Sequence, residues 1–317
     1  MSKSKMNEFI EKGNYKQYTE RDIDGAYEEY SKLVKNYPNH VEGFLLRGQI
    51  KAHYRYEYVD AKNDFKKAVE IDPNHSDACY EYGSLLCRLG DKNEGIKYLE
   101  HSVEVKPNGC IYHEIGEHKL FLKEYEEALE AFINAAEIEL KDEYCWYENV
   151  INSFDKAVEL FLKKKEYQDA IKYLNKIIEI RHIAEREDYE PNDFDEDECK
   201  DFYDPCVEMK LIAFCLYLIG DFEASINKLN KVIEKFLNTK KEKSLFVFES
   251  YILRGQAFIK CNKSKDAYSD WDKVSFLKVF GNQIAILETF EEYVFDNYAV
   301  RIEFKECRKY FSKKINE

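Results

Sequence analysis

The stretch HSDACYEYGSLLCRLGDKNEGIKYLEHSVEVKP, residues 75–107, reads as two helices and the turn between them. On both sides of Gly90-Asp91 the apolar residues recur at intervals of three and four, the period of an amphipathic helix. Gly83 stands midway along the first helix, where Gly costs roughly 1 kcal/mol relative to Ala. A second backbone passing close by gives that cost a reason. Pro107 closes the stretch, because proline cannot donate the intrahelical hydrogen bond and clashes with the preceding turn.

The same plan recurs along the chain. VEGFLLRGQIKAHYRYEYVDAKNDFKKAVEIDP (41–73) offers Gly48, Ala61, Phe65, Ala68 and Pro73, and residues 109–140 offer Gly116, Ala128, Phe132 and Ala135. ESYILRGQAFIKCNKSKDAYSDWDKV (249–274) supplies Gly255, Ala267 and Trp271 and repeats the phrase LRGQ of residues 46–49. Pro38, Pro73 and Pro107 fall 35 and 34 residues apart. From the Gly of each first helix to the Ala of the second is 13 residues in the first two units and 12 afterwards, so an extra residue is expected in the first two turns.

These residues carry a resemblance to the tetratricopeptide repeat family. Gly48, Gly83, Gly116 and Gly255 match its first-helix small residue, Ala61, Ala128, Ala170 and Ala267 its second-helix alanine, and Pro73 and Pro107 its terminal proline. Ala26, Tyr30 and Pro38 extend the match to the N-terminal unit. The likeness covers most of 6–281 and is strongest over 41–142 and 248–275; the unit at 143–184 lacks the Gly. The resemblance implies an all-α fold, a superhelix (α-solenoid) of about seven antiparallel helix pairs. It divides the chain into N-terminal repeats (1–142), a divergent repeat with a long first helix and an acidic insertion (143–205), C-terminal repeats (206–281) and a capping helical segment (282–317).

Composition agrees. With 5 Pro and 12 Gly in 317 residues, the turns of a loop-rich β architecture are missing. A net charge of −14 argues against a nucleic-acid partner, which needs a basic surface. No run approaches the roughly 20 apolar residues of a bilayer span, so no membrane partner is expected, and MSKSKMNEFIEK lacks the apolar core of a secretory signal. The nine cysteines include no CxxC pair and several lie in apolar runs, as in IAFCLYLIG, so reduced core thiols in a cytoplasmic protein are expected.

Two segments could carry chemistry. HEIGEH (113–118) looks like the zinc-protease signature HExxH, but His113 and His118 are five apart, about 140° around a helix, and cannot both ligate one ion from a regular helix. The alternative reading, a metal-dependent enzyme or enzyme subunit, would rest on His113, Glu114, Glu117 and His118. The second segment, EREDYEPNDFDEDECKDFYDP (185–205), holds 11 acidic and two basic residues. Asp193, Asp195, Asp197, Asp201 and Asp204 echo an EF-hand, yet Glu198 stands where the loop needs Gly, so a solvated insertion is expected. No phosphate loop, nucleophile elbow or dinucleotide fingerprint is present, so no catalytic residue, resident metal or cofactor is assigned.

The family likeness implies a protein–protein interaction scaffold or adaptor that binds a peptide or partner helix in a concave groove lined by first helices. Counting six and three residues before the small residue, then one and four after, selects the groove positions. Gln49, Asp77, Tyr80, Ser84, His113, Glu117, Phe214 and Tyr217 are the foremost, with Glu42, Asp155, Glu159, Lys210, Ile252 and Gln256 in the same rows. Chaperone-binding members place Lys, Asn and Arg there to clamp a carboxylate, whereas this chain has acidic and aromatic residues. A partner with basic residues beside an apolar anchor is the expectation.

Overall fold

A computed structural model of the chain describes residues 3–142, 145–187, 204–237 and 245–275, with 306, 307, 309 and 310. The described residues contain helices and turns and no strand. The chain divides into two compact units, Met1–Glu143 and Tyr144–Glu317.

In the first unit, α1 (Lys3–Asn14) continues as a π-helical stretch (Tyr15–Glu20) and pairs with α2 (Ile23–Asn36). Next, α3 (Val41–Gln49) continues as a second π-helical stretch (Ile50–Tyr54) and pairs with α4 (Tyr58–Ile71). The pairs α5 (Ser76–Arg88) with α6 (Lys92–Val105) and α7 (Gly109–Phe121) with α8 (Tyr125–Glu139) complete it. The second unit holds α9 (Tyr147–Lys164) with α10 (Tyr167–Arg186), α11 (Cys206–Leu218) with α12 (Phe222–Leu237), and α13 (Leu245–Lys260) with α14 (Ser264–Ser275). Each is a tetratricopeptide-type pair of antiparallel helices. The acidic stretch lies outside the described residues from 188 to 203, as does most of the closing segment. Of the latter, Tyr310 stacks on Tyr268, lies 5.5 Å from Trp271 and donates to Asp272.

One geometry unites the seven pairs. A residue with positive φ (Arg21, Tyr56, Gly90, Lys123, Lys165, Gly220 or Asn262) ends each first helix. Five residues later comes the small residue of the second helix: Ala26, Ala61, Gly95, Ala128, Ala170, Ser225 or Ala267, all buried. Four residues further on, Tyr30, Phe65, Leu99, Phe132, Leu174, Leu229 and Trp271 are fully buried. In five pairs that side chain lies against the first-helix glycine. A Cβ on Gly255 would sit 2.3 Å from Trp271 Nε1, and one on Gly83 would sit 2.8 Å from the Gly95 carbonyl oxygen and 2.9 Å from the Leu99 nitrogen. The glycines are where two helices touch. In the sixth pair Ala213 takes the place of Gly, and Ser225 Oγ donates to its carbonyl across 2.7 Å.

The extra residue of the first two units lies elsewhere than the turn in which it was expected. Every turn has the same five-residue count from the positive-φ residue to the small residue, so nothing was added there. The insertion sits in the last turns of the first helix, as the π-helical stretches Tyr15–Glu20 and Ile50–Tyr54. The closing hydrogen bond records it: Asp91 N donates to Leu86 O and Glu124 N to Lys119 O, the ordinary six-residue closure, whereas Asp22 N reaches Lys16 O and Glu57 N reaches Lys51 O. A π turn absorbs one residue without disturbing the helix on either side.

The recurrence of LRGQ also has a second cause beside the glycine. Arg47 forks onto Asp64 at 2.9 and 2.6 Å, and Arg254 onto Asp270 at 2.7 and 2.7 Å. Each aspartate lies three residues after the second-helix alanine and is buried. The two-pronged geometry suits a guanidinium and not an ammonium. The partners are 17 residues apart in one case and 16 in the other, the difference being the π residue.

Candidate functional site

In the first unit the first helices α3 and α5 touch, which brings their groove positions into one surface. Gln49 Nε2 donates to Glu81 Oε1 across 2.8 Å, and His53 Nε2 lies 3.3 Å from Glu81 Oε2. Between α5 and α7 the pattern returns: Ser84 Oγ donates to Glu114 Oε1 across 2.7 Å, and His118 Nε2 lies 3.5 Å from the same oxygen. Gln49 and Ser84 both follow the first-helix glycine, while Glu81 and Glu114 both precede the next one by two. A rung therefore joins the same two positions in successive pairs.

The Glu114 carboxylate is held in its charged form. Burial disfavours the Glu114 anion, but His118, Ser84 and Tyr80 outweigh it and hold its pKa below the usual range. The reverse applies to Tyr80, whose phenol is pushed up to about 12 by burial and by Glu114 beside it. His53 is raised chiefly by its hydrogen bond to Glu81. Beyond these rungs Asp77 is exposed, and Tyr80, His113 and Glu117 are partly so. Five of the foremost positions thus gather on α5 and α7 and the sixth, Gln49, on α3.

The equivalent rows of the second unit are closed from α11 onward except at Tyr217, while Asp155 and Glu159 of α9 stay partly exposed. Phe214 is fully buried, so the expectation that it lines an open groove is corrected: its side chain belongs to the core of α11. Lys210, expected in the same groove rows, is buried with its Nζ 2.5 Å from Glu249 Oε2 and 3.9 Å from the centre of the Phe246 ring. Ile252 and Gln256 are buried as well. Tyr217 keeps partial exposure, edge-on to Phe222.

The HEIGEH residues part company on α7. His113 lies edge-on to Phe132 at 5.2 Å, whereas His118 faces Glu114 and has its Nδ1 3.4 Å from Lys92 Nζ. Among the described residues no three His, Cys, Asp or Glu side chains come together in a metal-holding group.

Position counting missed Glu81, Glu114, His53, His118 and Glu249. Glu81 and Glu114 share a legible signal, since each stands two residues before a first-helix glycine. Glu249 carries none, because its role depends on which side chain of the preceding pair reaches it.

Comparison with known proteins fits these repeats. The tetratricopeptide repeat model matches residues 76–108. A TPR repeat-containing protein of Methanocaldococcus jannaschii is 24% identical over 179 residues, 47% of this chain and 31% of its own length. The chain thus spans about a third of the curated relative it matches. Among solved structures, Naa15/Naa10 bound to HypK-THB is similar over 93% of this chain and 42% of that one, with a TM-score of 0.55 and 14% identity. The crystal structure of MamA protein is similar over 57% of this chain and 94% of its own, with a TM-score of 0.48 and 24% identity. No helix of the described residues is long and apolar enough to cross a membrane.

Proposed function

We propose that this chain, whose repeats are similar to those of tetratricopeptide repeat proteins, is an interaction scaffold, that the first-helix face of Met1–Glu143 is its binding surface, and that this face takes a peptide or partner helix carrying Lys or Arg beside an apolar anchor. The observation that supports this reading is the difference in exposure: Asp77, Tyr80, Ser84, His113 and Glu117 all keep accessible surface, whereas Lys210, Phe214, Ile252 and Gln256 in the matching rows of the second unit are buried and Asp155, Glu159 and Tyr217 are partly exposed. Asp77, Glu81, Glu114 and Glu117 give the face its sign. Tyr80 supplies a flat apolar surface with few rotamers to lose.

The carboxylates chiefly speed association and lose influence with salt, while Tyr80 sets the lifetime of the complex. Eight described cysteines, none in a disulfide, support a reducing, cytoplasmic setting. The test is capture and identification of partners with the full chain, followed by kinetic measurement on the purified pair. Tyr80→Ala is expected to raise the dissociation rate, and Glu117→Lys to lower the association rate at low ionic strength. A partner that binds both variants unchanged would move the site to another surface.

A further inference from the structure

The carboxylates buried among the described residues, Glu29, Asp64, Glu208, Glu249 and Asp270, each pair with a lysine or an arginine. Glu81 and Glu114 of the first-helix face are part-sunk, with side chains 12% and 26% exposed, yet the ion-pair partner of each is a histidine. Gln49 reaches the first, and Ser84 and Tyr80 the second, without bringing charge. The charge that such a glutamate lends the face depends on the protonation of its histidine.

The two histidines differ at the far nitrogen. At His118 the Lys92 ammonium lies 3.4 Å from Nδ1. An ammonium only donates, so that nitrogen accepts, and the seat a second proton would take is filled. His53 has its Nε2 3.3 Å from Glu81 Oε2, and its side chain is 48% exposed. A carboxylate only accepts, so the neutral His53 ring carries its hydrogen on Nε2 and offers Nδ1 to a proton from solvent. Of the charged groups around it, Glu81 and Arg88 come from α5, the first favouring the imidazolium and the second opposing it. Asp64 of α4 and Asp24 of α2, on the elements packed against this π-helical stretch, are already answered by Arg47 and Lys51 and by Arg55. The hydrogen bond to Glu81 prevails and lifts the imidazole above its usual 6.5.

Resting on the reading of this face as the binding surface, we propose that His53 gates it by proton: a neutral ring leaves the Glu81 charge to a basic partner, and a protonated ring neutralises Glu81 and releases the partner. The proton enters at Nδ1 from solvent and returns there. The sign follows from linkage, which is reciprocal. A basic partner that draws on the Glu81 charge makes the proton on His53 easier to lose. Binding therefore expels that proton, and it weakens as pH falls through the histidine range. The Glu114 rung, with Lys92 against its histidine, keeps its charge over the same interval.

The test is the anisotropy of a rhodamine-labelled peptide with two arginines and one phenylalanine, titrated with the full chain at about pH 8 and about pH 5.5, either side of the histidine range. The arginines keep their charge throughout. The parent chain is expected to bind about three- to tenfold more weakly at the lower pH, one unit of linked pKa being a factor of ten. His53→Gln, which keeps a hydrogen-bond donor but cannot take a charge, is expected to bind alike at both. Equal binding by the parent at both, or a pH dependence that survives His53→Gln, overturns the gate and leaves the reading of the face intact. A peptide that binds at neither pH overturns both. Imidazole NMR of the free chain decides without any peptide: a His53 midpoint that does not fall in Glu81→Gln overturns the gate.

Discussion

The two units build their helix pairs by one rule and finish their first-helix faces by opposite ones. In Met1–Glu143 the residue after the small position is polar, Gln49 or Ser84, and it reaches across to Glu81 or Glu114 of the next pair. In Tyr144–Glu317 the same position is Glu159, partly exposed, and then Phe214 and Gln256, both buried, and the pair after Phe214 presents Leu253 in place of glutamate. The repeated phrase LRGQ makes the contrast sharp. Arg47 and Arg254 do the same thing, each forking onto a buried aspartate, whereas Gln49 finds Glu81 and the Gln256 amide nitrogen is buried without a partner. What is common to the copies belongs to the pair itself; what differs belongs to the neighbour. The pair geometry therefore says nothing about binding, and the inter-pair positions say a great deal.

If the shared part is structural, its loss should be the costliest change in either unit. Asp270→Ala removes the buried carboxylate onto which Arg254 forks, and breaking a buried pair from one side costs up to about 3–5 kcal/mol. Asp64→Ala should cost at least as much, because its carboxylate also answers the buried Lys51 at 2.8 Å, whereas Arg254 keeps Asn230 at 2.6 Å when Asp270 is lost. Urea melts of the two variants measure the difference. Equal and small losses would show that the forks are incidental.

Next in size is the helix crossing. Gly83→Leu forces a side chain into backbone atoms of α6, which cannot turn aside, and should cost about 1–3 kcal/mol. The matching change at Ala213, where Ser225 and not a large side chain stands opposite, tests whether the second unit is as tightly closed. A neutral Gly83→Leu would mean the pairs breathe apart.

This crossing was legible from the first line of sequence. Gly83, Gly116 and Gly255, each followed by a small residue twelve places on, leave few arrangements other than paired helices. The place of the thirteenth residue was not legible, because a count from Gly48 to Ala61 cannot tell an inserted turn residue from a π-helical one. Likewise a count of positions puts Phe214 in a groove row, but whether that row is open depends on which neighbours cover it. Glu114 was noticed for the wrong reason: its spacing to His118 suggested a metal pair, while its partner Ser84 lies thirty residues away in sequence.

A smaller effect is expected from removing that extra residue. Deleting Tyr54, which is exposed in the π-helical stretch of the second pair, should restore the twelve-residue spacing of the later pairs and change stability by about 1 kcal/mol or less. A loss several times larger would show that the π turn itself is needed, through the contact of Gln17 with Tyr54 or the aim of Arg55 at Asp24.

The comparison is tested most directly by binding to matched variants of the two faces. A labelled peptide with two arginines and one phenylalanine, taken from an identified partner, would be titrated against the parent chain, Glu117→Lys and Tyr217→Ala at low and high salt. The account predicts that Glu117→Lys weakens binding about tenfold at low salt and less at high salt, while Tyr217→Ala leaves it unchanged. Binding that is indifferent to Glu117→Lys and abolished by Tyr217→Ala would contradict it and place the working surface in the second unit.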